Sequence, residues 1–126
     1  MQRIQMEPVQ WSHIKHIDDI EQLNDSDYDV ISELGDVLRR HGLEDKFGVC
    51  LLHKHFDMND GDRMFEETDH ENEILVSRKV SSDSYRAEDS IETMWRFSKG
   101  IDSVTVCERV CDYFLGHKNK HKKVAR

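Results

Sequence analysis

No apolar run in this chain approaches the ~18 residues that a membrane-spanning helix needs. Residues 1–8, MQRIQMEP, have none of the apolar core of a signal peptide, so neither membrane insertion nor export is expected. Cysteine is scarce. Cys50, Cys107 and Cys111 form an odd set, which argues for reduced thiols in a cytoplasmic, reducing compartment rather than a disulfide framework. Hydrophobic residues are few, at 37% against 35% charged, so the core should be small and the surface heavily ionised. No acidic residue follows Asp112, whereas Lys118, Lys120, Lys122, Lys123 and Arg126 do. The net charge of −8 therefore hides a body with 13 basic against 26 acidic residues, a balance of −13. Such a body repels nucleic acid and anionic lipid. A phosphate-binding glycine loop, a serine nucleophile elbow and internal repeats are also lacking.

What is present reads as one domain over residues 1–116 with a basic, disordered tail at 117–126. Asn24-Asp25-Ser26-Asp27 is a helix-capping cluster, and Tyr28, Val30, Ile31, Leu34, Val37, Leu38 and His41 follow at helical spacing up to Gly42. Acids crowd the first turn and Arg39 and Arg40 the last, in keeping with the helix dipole. The spacing predicts a helix over about 27–41. Trp11, Ile14, Ile17 and Ile20 recur at threes, as a short helix capped by Ser12 would have them, although Val9-Gln10-Trp11 would also serve as an edge strand. Residues 47–56, FGVCLLHKHF, read as a central strand ending at the turn Asn59-Asp60-Gly61-Asp62. Shorter strands are expected at 63–67, 74–80 and 91–97, with a return after a turn at 99–102 that carries Val104, Val106 and Val110; Trp95 and Phe97 should be core. The fold class that follows is α+β, the one main helix packed on a mostly antiparallel sheet of four to six short strands.

The chemistry-bearing feature is His53-x-His55. On a strand these two imidazoles share a face and can grip one metal, and a carboxylate after the following bend, Glu66, would supply a third ligand. Imidazole and carboxylate together suit Zn²⁺ or Fe²⁺. Gly48, His53-x-His55 and Asp60 resemble the first motif of the cupins, with the glycine one residue closer, Asp for the usual Glu and no second motif. The same pair resembles the JAMM metalloprotease pattern, with Arg63 and Glu66 where a serine and an acidic ligand would stand and no proline after the second histidine. Cys107, Cys111, His117 and His121 loosely resemble a zinc knuckle, with a longer first gap and His as the last ligand. Cys50 has the opposite parity to His53 and reads as an inert core thiol, while His13 and His16 read as surface histidines.

The expected function is that of a small soluble metal-binding protein centred on His53, His55 and Glu66, used as a metal-dependent hydrolase or oxygenase. The alternative is a non-enzymatic acidic protein-interaction module in which the charged surface and the Trp95/Phe97 region meet a partner and the histidines are incidental. The sequence assigns no catalytic residue, substrate or oligomeric state.

Overall fold

Local chemistry starts and stops the helix α1 (Asp25–Arg40). The Asn24 side chain accepts from the Asp27 amide while the Asp27 carboxylate accepts from the Asn24 amide, both at 2.9 Å, a complete capping box. At the other end Gly42 takes the left-handed conformation, φ 69°, which an L residue resists and which closes many helix C-termini. Asp36 pairs with Arg39 one turn on.

The computed structural model describes residues 6–81 and 89–109. They fall into two compact units, one made of Ile14–Phe56 and the other of the segments up to His13 and from Asp57 onward. The expected tail at 117–126 and Val110 lie outside the described residues. The first unit holds α1 and the irregular segment that follows it. The second holds the sheet: β1 (Met6–Glu7), β2 (Arg63–Asp69), β3 (Ile74–Val80), β4 (Ser90–Phe97) and β5 (Ile101–Glu108). With one helix and four strands of seven or eight residues beside the two-residue β1, the architecture is α+β.

β5 is the centre of the sheet. β4 runs antiparallel along it, and β1 and β2 pair with it in parallel, at Met6–Ile101 and Met64–Thr105 respectively. β3 is hydrogen-bonded to β2 in an antiparallel hairpin. The antiparallel ladders carry seven residue pairs each and the parallel ones three and two, so the sheet is mixed but mostly antiparallel. The hairpin turn is held by Asp69, whose carboxylate accepts from the Asn72 side chain at 2.9 Å and the Asn72 amide at 3.2 Å. Those bonds hold the exposed Asp69 below its ordinary value, so this turn is favoured above the normal carboxylate range and loosens as pH falls through it.

Burial is concentrated where both faces of β5 are covered. Asp102, Ser103, Val104, Thr105 and Val106 are all buried, with Phe65 from β2 and with Val9 and Trp11 from the N-terminal segment. Three hydrogen bonds tie that segment to the turn before β2. The Trp11 amide donates to Asp60 Oδ1 at 3.0 Å and its indole Nε1 to the Asp62 carbonyl at 2.7 Å, and the Gly61 amide donates to the Val9 carbonyl at 2.9 Å. Gly61 can do so because its φ of 88° is open to glycine.

Several sequence expectations are corrected. Residues 47–53 form no strand, and their one neighbouring bridge is between His16 and Lys54; the run is apolar enough for a strand but finds no ladder, and Val49 and Leu51 remain about half exposed. The N-terminal stripe forms two single 3₁₀ turns, Trp11–His13 and Ile17–Asp19, rather than one helix. Phe97 is not core: it lies on β4 with 80% of its surface exposed. The last turn falls at 98–100, which lets Ile101 and Asp102 join β5.

The polar member of this core is Asp102, 1% exposed. Arg96, directly opposite in the β4–β5 register, donates to its Oδ2 at 2.7 Å, and the Ser98 hydroxyl donates to Oδ1 at 3.4 Å. Removing one partner of such a pair strands a buried charge. Arg96→Met should lower the urea unfolding free energy by about 3–5 kcal/mol, with part of the loss recovered in Arg96→Met/Asp102→Asn; a loss below about 1 kcal/mol would show that water solvates the carboxylate.

Candidate functional site

The histidine pair lies on irregular backbone that is pinned by hydrogen bonds. The Lys54 amide donates to the Lys15 carbonyl at 3.0 Å and its carbonyl accepts from the Ile17 amide at 2.8 Å. His16 secures the next residue: its Nε2–H donates to the His55 carbonyl at 2.7 Å while its Nδ1 accepts from the Asp18 amide at 3.1 Å. Both nitrogens of His16 are thereby used, which makes it a support for the pair and not a ligand. Nothing in the sequence signalled this role, since the partners are 39 positions apart.

His53 is half-buried and His55 exposed. His53 Nδ1 lies 2.7 Å from the Leu51 carbonyl. A carbonyl only accepts, so Nδ1 carries a proton, and in the neutral ring the lone pair is then on Nε2, the arrangement that orients metal-binding imidazoles. The ring centroids of His53 and His55 are 4.9 Å apart, with the planes at 85°. That is the geometry of an edge-to-face ring contact, and two imidazoles bound to one tetrahedral ion at ~2.0–2.1 Å would also have centroids roughly 5 Å apart.

Glu66 is engaged elsewhere. It stands on β2 opposite Cys107 of β5, and the Cys107 thiol donates to Glu66 Oε1 at 3.1 Å while lying 3.3 Å from Thr93 Oγ1. Burial pushes the Cys107 thiol up and the Glu66 carboxylate adds to the shift, so the sulfur is held as a protonated, weakly nucleophilic thiol. Among the described residues no three His, Cys, Asp or Glu side chains gather as a metal-holding group. Of the zinc-knuckle candidates Cys107 is on β5, and Cys111, His117 and His121 lie outside the described residues. His13 Nδ1 accepts from Arg96 Nη2 at 3.3 Å, and His41 is the C-cap of α1.

A second candidate is the apolar face of α1, which the sequence alone did not mark as functional. At about 100° per residue, Val30, Ile31, Leu34, Val37 and Leu38 lie within an arc of about 120°. Such a stripe normally lies against a core, yet α1 buries none of its residues. Val30 is 55% exposed and Leu34 42%. In the sheet unit, Ile74, Leu75 and Val76 of β3 and Phe97 of β4 are likewise exposed.

No protein-family model, curated protein or solved structure matches the chain. The arrangement of its own residues therefore carries the functional argument. No described helix is long and apolar enough to cross a membrane.

Proposed function

We propose that this chain is a non-enzymatic, acidic protein-interaction module, and that α1 is the element that meets the partner. The observation that supports this reading is the apolar stripe from Val30 to Leu38, five side chains at helical spacing of which Val30, Ile31, Leu34 and Val37 are exposed and Leu38 is half-buried. Leaving apolar area in water forgoes about 25 cal/mol for each Å² that could be covered, so a partner surface of matching apolar character gains what the free chain does not. The acids around the stripe, Asp25, Asp27, Asp29, Glu33 and Asp36, supply a charged rim that sets the orientation of a partner.

The test asks whether the stripe belongs to the core. In dilute solution Leu34→Gln, which keeps length and helix propensity, should change the urea unfolding free energy by less than about 1 kcal/mol. A loss of about 2–5 kcal/mol, the range for a buried leucine, would make α1 a core element and contradict the reading.

The histidine pair supports a second reading, in which His53 and His55 hold a divalent ion such as Zn²⁺ or Fe²⁺ with water completing the shell. The Nε2 lone pair of His53 and the 4.9 Å ring spacing support it. Glu66, expected as the third ligand, already accepts from Cys107, so this reading uses two protein ligands, and Zn²⁺ is favoured over Fe²⁺ by the usual affinity order. Calorimetric titration of untagged protein should show one ion bound per chain, lost in His53→Ala and in His55→Ala and weakened but retained in His16→Ala. Binding that ignores all three substitutions, or no binding, would remove this reading.

A further inference from the structure

From the pattern of α1 we infer that the partner is a second copy of this chain, docked helix to helix in antiparallel fashion about a twofold axis at Leu34. This rests on the interaction reading above and names its occupant. The apolar positions are symmetric under reversal about Leu34: Val30 and Leu38 lie four residues to either side and Ile31 and Val37 three. An antiparallel pair crossing at Leu34 therefore sets Val30 against Leu38 of the second copy, Ile31 against its Val37, and Leu34 against Leu34. Twofold contacts need this self-complementarity, because each patch must fit itself.

The polar ends of α1 obey the same reversal. The acids run from Asp25 to Asp36, and Arg39, Arg40 and the C-cap His41 close the helix. Asp27 and His41 lie seven residues on either side of Leu34, about 20° from the centre of the apolar arc. Each end of the seam would thus place Asp27 of one copy beside His41 of the other, where an imidazole N–H can donate to the carboxylate. The parallel alternative sets Asp27 against Asp27 in the seam and is opposed by like charge as well as by aligned dipoles. In the antiparallel arrangement each copy brings its basic end, Arg39 and Arg40, to the acidic end of the other.

The size of the contact sets its strength. Sixteen residues span about 24 Å, and one pair of such helices covers less than the ~1,200 Å² of a standard stable interface. A reversible dimer with Kd on the order of 10 µM is the expected result.

Sedimentation equilibrium of the full chain over roughly 1–200 µM brackets that value and should show a monomer–dimer equilibrium. Leu34→Glu, which sets two carboxylates against each other on the axis, should raise Kd at least about tenfold. The pairing of the seam ends is tested in trans. His41→Glu alone should weaken the dimer about fivefold, and Asp27→Lys, which also forfeits the capping bond to the Asn24 amide, by more than that. An equimolar mixture of the two variants should dimerise more tightly than either by itself. In the mixed dimer the introduced lysine of one chain meets the introduced glutamate of the other at one end, and the native aspartate meets the native histidine at the other. Fourteen residues of helix, about 21 Å, separate positions 27 and 41 within one chain, so restoration in the mixture cannot arise inside a single helix. A wild-type chain that stays monomeric throughout, or a mixture no better than its components, overturns the proposal. If the chain is monomeric and Leu34→Gln is harmless to folding, only the second copy falls; if that variant is also strongly destabilised, the interaction reading falls with it. Should Leu34→Glu fail to fold, the mixed charge variants still decide.

Discussion

The structure depends on the burial of β5. Of its eight residues, five in succession from Asp102 to Val106 are buried, and only a strand covered on both faces and hydrogen-bonded on both edges can be so placed. A carboxylate in that strand must be matched, and Arg96 and Ser98 match it from β4 and the turn beyond. The match also fixes register. A slip of one residue between β4 and β5 would turn Arg96 away from Asp102 and leave the charge without a cation. Glu66 and Cys107 make a second polar contact across β2 and β5, so β4 and β2 are each tied to β5 by a specific bond as well as by the ladder. The N-terminal segment completes the cover, with Trp11 as the largest fully buried side chain and as the anchor of the turn that leads into β2.

The helix is stabilised on a different principle. Isolated helices of about 12–15 residues are marginal in water, and most helices in proteins depend on packing their apolar face. α1 has sixteen residues and buries none of them. Its order rests on the capping box at Asn24 and Asp27, the Asp36–Arg39 pair, charges that complement the dipole and the left-handed close at Gly42. Strong ends and a partly exposed apolar face fit the proposed docking role, since a docking helix must be formed before the partner arrives if ordering is not to weaken the contact.

The parts of the fold governed by near neighbours were legible in the sequence. The cap cluster and Gly42 located α1 to within two residues, and the alternation of Ile74, Val76 and Val80 located β3. What depends on distant partners was not. Residues 47–56 have the composition of a strand, but pairing is settled by what lies alongside, and His16 and Lys54 make only a single bridge there. Trp11 looked like part of a helical stripe because its hydrogen-bond partners are about fifty positions away. Phe97 looked like core because alternation does not say whether a strand face is covered. Of the expected metal ligands, His53 and His55 lie close together on irregular backbone rather than on the strand from which a shared face was expected, and the diversion of Glu66 to Cys107 was hidden by the 41 residues between them.

If stability resides around β5 while the apolar face of α1 is left for docking, the two elements must open at different free energies. Native-state hydrogen exchange, followed amide by amide in solution dilute enough to keep the chain monomeric, measures that difference most directly. Asp102–Val106 should exchange only through global unfolding, and the amides of α1 through local opening of much lower free energy. Protection of α1 equal to that of β5 would contradict this division, because the helix would then belong to the same cooperative core.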